Sequence, residues 1–156
     1  MEICNVLSLD RIIIGLKNQD KNGVLQEMLE VAATSGRIHD KEQLLKSILQ
    51  REQLQTTGVG FGLAVAHAKS DDVDGVVLSV GISEEGVDYD ALDGKPAHII
   101  FMLVSSPEKN TEYLSVLAKI ARIFKEADFR EAVMRARSPE KVMNLLKERE
   151  EGHSRC

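Results

Sequence analysis

This chain has few cysteines, no long apolar run and no excess of positive charge, and each shortage excludes a class of protein. The two cysteines, Cys4 and Cys156, stand at opposite ends with no metal-ligand spacing around either. That excludes a disulfide framework and fits a reduced, cytoplasmic setting. No segment approaches the ~20 consecutive apolar residues that cross a bilayer. The N-terminus has no basic region followed by an apolar core, so neither membrane insertion nor a signal peptide is expected. Acidic side chains outnumber basic ones by 25 to 20, for a formal net charge of −5. A nucleic-acid footprint needs a basic surface, so nucleic acid is not expected as the main partner.

Several catalytic signatures are missing too. The glycines at 58, 60 and 62 do not complete G-x-G-x-x-G, and no Gly-Lys-Ser/Thr follows them, which argues against a nucleotide site. The four histidines, His39, His67, His98 and His153, are scattered, with no H-E-x-x-H or C-x-x-C to hold a metal. G-x-S-x-G, the nucleophile elbow of a serine hydrolase, does not occur. Neither a cofactor nor a metal is expected.

What is present is an ordinary apolar content, 43% of 156 residues, and one unusual segment. That length allows a single domain with a substantial core. From Thr57 to His67 the chain alternates with period two: Val59, Phe61, Leu63, Val65 and His67 at odd positions, only Gly or Ala at even ones. Read as one strand, it has an apolar face ending in an imidazole and a nearly bare face whose backbone amides another group can approach. A neutral imidazole is a good nucleophile, and one nitrogen can attack while the other holds a fixed partner. Spacing alone fits better a core or turn histidine that ends an apolar strand. Arg51, just upstream at a helix end, has a planar fork suited to phosphate oxygens, though such a charge also complements a helix C-terminus.

Around this segment the pattern predicts an α/β domain: a mixed central sheet flanked by helices on both faces. A short edge strand is expected near Ile12, a helix over 21–35, and a second helix opening on an Asp40/Gln43 capping box and ending near Arg51-Glu52. Strands are expected at 75–82 and 97–104, the latter central because it is continuously apolar. Residues 83–96 read mostly as loop. Three helices close the chain, starting near Asn110, at Asp128 with Glu131 as its cap, and at Ser138-Pro139. The expected division is one domain over 1–150 and a frayed tail over 151–156.

Leu49-Gln50-Arg51-Glu52, followed by the Thr57-Gly58-Val59-Gly60-Phe61-Gly62 run that ends at His67, resembles the signature of the fructose/mannitol-type enzyme IIA domains of the phosphoenolpyruvate-dependent sugar phosphotransferase system. Nitrogen-regulatory enzyme IIA proteins share that family. The resemblance extends over essentially the whole chain. It implies a phosphotransferase: His67 takes a phosphoryl group from phospho-HPr and passes it to an enzyme IIB, or signals through its phosphorylation state to a regulatory target, while Arg51 steadies the phosphoryl oxygens. Three positions depart from the family pattern: Phe61 where Asn is usual, Ala66 where Pro is usual, and Glu112 at the place of a second histidine. Glu112 is then a candidate orienter of the imidazole. Because of these departures the competing expectation is a regulatory interaction module with weak or no transfer.

Overall fold

The computed structural model describes residues 2–151. The expected tail, 151–156, and Cys156 therefore lie outside the described residues, apart from residue 151 itself. Five strands, β1 (Ile12–Ile14), β2 (Gly58–Gly60), β3 (Leu63–Lys69), β4 (Val76–Val87) and β5 (Ala97–Ser105), form one sheet in the order β1-β4-β5-β3-β2. Pairing is mixed: β1 with β4 and β3 with β5 are parallel, β4 with β5 and β2 with β3 antiparallel. The helices are α1 (Ile3–Val6), α2 (Lys21–Ala33), α3 (Lys41–Leu54), α4 (Asn110–Ile123), α5 (Ala127–Arg135) and α6 (Pro139–Glu151). None among the described residues is long and apolar enough to cross a membrane.

The helices divide between the two faces of the sheet. The apolar sides of α2 and α3, including Leu25, Met28, Leu44 and Ile48, pack on Ala64, Ala66, Ile100 and Met102. Helices α1, α4, α5 and α6 cover the other face, where Val116, Ile120, Val133 and Val142 meet Leu63, Val65, Phe101 and Leu103. Strand β5 is covered on both sides, and every residue from Ile99 to Val104 is fully buried. That is the reason for its unbroken apolar run. The Asp40 carboxylate caps α3 by accepting from Gln43 N–H at 3.1 Å, and Ser138 Oγ caps α6 by accepting from Lys141 N–H at 3.1 Å.

Several expectations change. The segment 57–67 is a β-hairpin, not one strand: Phe61 (φ 58°) and Gly62 (φ 80°) form a two-residue turn between β2 and β3. Positive φ at both central residues is the type I′ pattern, whose twist matches that of the flanking strands. The bare face does not admit a foreign group either. Ala64, Ala66 and Ala68 are buried under α2 and α3, and a Cβ at Gly58 would stand 2.9 Å from Ala91 Cα and from the Tyr89 ring. Small residues here admit the chain's own helices and its 89–92 segment. Strand β4 runs five residues past the expected end, α3 reaches Leu54, and α1 had no signal in the pattern. Helix α5 starts at Ala127 with Glu126 at the N-cap and no side-chain cap, so the Asp128/Glu131 box is not used. Cys4 is disulfide-bonded rather than reduced.

Candidate functional site

The hairpin places His67 near the end of β3, on the face that carries Leu63 and Val65. Successive side chains alternate between faces, so all three odd residues look toward α4. Tyr113, in the first turn of α4, meets the imidazole with ring centroids 6.2 Å apart. Arg51, in the last turn of α3, reaches the same place from the opposite side; its Nη1 donates to Gln55 O at 2.9 Å. A cavity of about 270 Å³ lies between them, lined by Arg51, Thr57, Val59, Val65, His67 and Leu117 among others. The structure thus brings His67 and Arg51 to one cavity from two elements separated only by β2.

The imidazole has a defined hydrogen-bond state. His67 Nδ1 lies 2.8 Å from Val65 O. A carbonyl oxygen only accepts, so Nδ1 carries the proton and the Nε2 lone pair is left facing the site. Burial holds the pKa of His67 below its ordinary value and the Arg51 charge acts the same way, against the Val65 bond and the Glu52 charge, which raise it. The ring is therefore neutral near pH 7, as a nitrogen nucleophile must be.

Val65 O is available because the β2–β3 ladder stops one bond early. Continuing the Gly58–Ala64 register by one residue puts Thr57 opposite Val65, and Val65 N–H donates to Thr57 O at 3.0 Å. A closed antiparallel pair at such a position exchanges two bonds. Here Thr57 N–H turns instead to Glu52 Oε1, at 3.1 Å. Glu52 Oε2 takes the Thr57 hydroxyl, which is also 3.0 Å from the Tyr89 hydroxyl. Lys21 of α2 pairs with Glu52 Oε1 at 2.8 Å, lies over the Tyr89 ring and donates to Thr56 Oγ1 at 3.1 Å. The Glu52 side chain is 6% exposed. This polar network holds the 55–57 segment, and with it one wall of the site.

Residues that the pattern did not single out complete the place. Lys69, two residues beyond His67 on the same face of β3, donates to Asn110 Oδ1 at 2.7 Å and lies 5.7 Å from the Tyr113 ring. It lines with His67, Arg51, Leu54 and Leu114 an adjoining depression of about 630 Å³. Burial pushes the Tyr113 hydroxyl pKa up to about 12, so it stays a neutral donor. The alternation that located His67 also puts Lys69 on its face, so that signal was readable; Tyr113 and Lys21 carried none. Around the opening, Leu54, Val59, Leu92 and Leu114 are exposed.

The expected orienter, Glu112, stands in the first turn of α4, but the α4 ring beside His67 is that of its neighbour Tyr113. No hydrogen bond or ion pair joins Glu112 to His67 among the described residues, and Nδ1 is already held by Val65 O. Phe61 is 72% exposed at the hairpin turn, with the Arg130 guanidinium 4.9 Å from its ring centre. Its departure from Asn therefore concerns an αL turn position, where Asn is the easier residue.

Comparison with known proteins gives the family. Residues 5–149 match the family model described as "Phosphoenolpyruvate-dependent sugar phosphotransferase system, EIIA 2". A fructose-specific EIIA component of Haloferax volcanii is 33% identical over 94% of this chain and 96% of its own length. A fructose-specific EIIABC component of Bacillus subtilis is 30% identical over 94% of this chain, which spans 23% of that protein. The crystal structure of the nitrogen regulatory protein IIA-Ntr from Neisseria meningitidis superposes with a TM-score of 0.85 at 29% identity, covering 92% of this chain and 98% of that one. The chain belongs to the EIIA 2 family of the phosphoenolpyruvate-dependent sugar phosphotransferase system.

Proposed function

We propose that this chain is a phosphocarrier in which Nε2 of His67 takes a phosphoryl group from the phosphohistidine of an HPr-type donor and delivers it to the cysteine of an enzyme IIB. The observation that carries the reading is the Nδ1–H···O=C bond to Val65, which leaves Nε2 unprotonated in a cavity shared with Arg51. In the uptake step the donor N–P bond breaks and its electron pair returns to the donor ring. The Nε2 lone pair forms the new N–P bond, and the proton stays on Nδ1, hydrogen-bonded to Val65 O. Delivery reverses the sequence: a thiolate forms the S–P bond and Nε2 recovers its pair. Charge in such a transfer is spread over the equatorial oxygens, so fixed cations do most of the work. Arg51 supplies the first, and Lys69, held only by a neutral amide and a ring, supplies the second. The exposed Leu54, Val59, Leu92 and Leu114 give the partner proteins an apolar rim to dock on.

The resemblance to fructose-specific relatives supports a fructose branch with a IIB acceptor. A second reading, nitrogen-type regulation through the phosphorylation state, is supported by the likeness to IIA-Ntr. The test is phosphoryl transfer from phosphoenolpyruvate through enzyme I and HPr, followed by intact mass, then by addition of a fructose-type IIB. One acid-labile adduct, absent from His67→Ala and discharged by the IIB, is expected. An adduct that persists in His67→Ala rejects the site, and a stable adduct that no IIB discharges favours regulation.

A further inference from the structure

We propose that Glu52 sets the tautomer of His67, acting through Thr57 and Val65 without touching the imidazole. Three hydrogen bonds make the link: Glu52 Oε1 accepts from Thr57 N–H at 3.1 Å, Val65 N–H donates to Thr57 O at 3.0 Å, and His67 Nδ1 donates to Val65 O at 2.8 Å. The Gly58–Ala64 register, continued by one residue, and the Val65 N–H···Thr57 O bond put Thr57 and Val65 at a position where an antiparallel ladder exchanges both bonds. The missing bond of that pair is Thr57 N–H to Val65 O. By holding Thr57 N–H, the Glu52 carboxylate keeps Val65 O unclaimed, and the imidazole supplies its proton.

The competition is lopsided for a physical reason. A hydrogen bond to a carboxylate is about twice as strong as one between neutral groups, so Thr57 N–H stays with Glu52. Glu52 is itself fixed by Lys21 at 2.8 Å and by the Thr57 hydroxyl. A buried carbonyl without a donor is costly, so Val65 O in turn selects the Nδ1–H form of the ring. Without the carboxylate, Thr57 N–H closes the ladder, His67 Nδ1 loses its preferred acceptor, and the proton redistributes onto Nε2, the attacking nitrogen. Glu52 is thus a positioning residue two bonds removed from the chemistry.

This inference rests on His67 as the nucleophile, yet its test does not depend on phosphoryl transfer. Long-range ¹H–¹⁵N correlation of the histidine-labelled full chain reads the tautomer directly. The wild type is expected to show Nδ1–H with an unprotonated Nε2; an Nε2–H wild type overturns the proposal. Glu52→Gln keeps an acceptor for Thr57 N–H and is expected to keep the tautomer. Lys21→Met/Glu52→Ala removes acceptor and cation together, leaving no unpaired charge, and is expected to move the tautomer ratio about fivefold toward Nε2–H. An unchanged tautomer in that folded double variant, or loss of Nδ1–H in Glu52→Gln, overturns it. In the transfer assay the double variant loses kcat at constant KM for phospho-HPr. The expected tautomer pattern without uptake by any variant, wild type included, supports the link and rejects the phosphocarrier reading.

Discussion

His67 and His39 are two imidazoles with opposite environments in one chain. Burial depresses the pKa of His67 from its ordinary 6.5, whereas the hydrogen bond to Asp74 (2.8 Å) raises that of His39. NMR titration is expected to place the His67 midpoint below 6.5 and that of His39 above it; a His67 midpoint at or above 6.5 contradicts the described surroundings. The linkage sign follows. Below 6.5 the unfolded chain binds a proton at His67 that the folded chain resists, so this group's contribution to stability is lost as the pH falls through that range. The cations carry a separate prediction. On the proposed role of Arg51, Arg51→Gln removes a donor to the transferring oxygens and should slow phosphoryl uptake roughly 100-fold. Lys69→Gln should slow it by about tenfold, the worth of one charge-assisted hydrogen bond. Both are read by single-turnover labelling from phospho-HPr, with fold checked by circular dichroism.

At the scale of elements, the β2–β3 hairpin decides where His67 points. Its turn needs φ of 80° at Gly62, and a Cβ there would lie 2.7 Å from Met134 Cε. The methionine end can yield; the backbone cannot. Gly62→Ala is therefore expected to cost about 1–2 kcal/mol in urea unfolding, mainly from the αL penalty. A cost near zero would mean that the turn is not type I′. The odd face of the segment was legible in the sequence because alternation survives on each side of the turn. The turn itself was missed because the register shift between Gly58 and Gly60 restores even-with-even pairing, Gly58 with Ala64, so the alternating pattern ran straight through it. Strand β4 beyond Ile82 was read as loop because Ser83, Glu84, Glu85 and Gly86 carry little strand propensity, yet that strand continues through Val87 and pairs with Ala97.

For the whole molecule, Lys21, Glu52, Thr57 and Tyr89 tie α2 and α3 to the sheet end behind the site. Breaking a buried pair from one side leaves the other charge uncompensated. Lys21→Met is expected to lower stability by about 2–3 kcal/mol, and Lys21→Met/Glu52→Ala by less than the sum of its single changes. Thermal unfolding of the four proteins measures this, and simple additivity would mean that the pair is not coupled.

The sequence by itself determined the class of fold, the faces of the helices, the central place of β5, and the candidate roles of His67 and Arg51. These rest on periodicity, capping and motif, which act over a few residues along the chain. Tertiary structure alone decided which nitrogen of His67 is free, that Tyr113 rather than Glu112 meets the ring, and that Lys21 holds Glu52 behind the site. Those outcomes depend on how a ladder ends and on which turn of α4 lands beside β3. Hydrogen bonds and buried charges are settled by distances of a few ångströms between elements dozens of residues apart, and spacing along the chain carries no record of them.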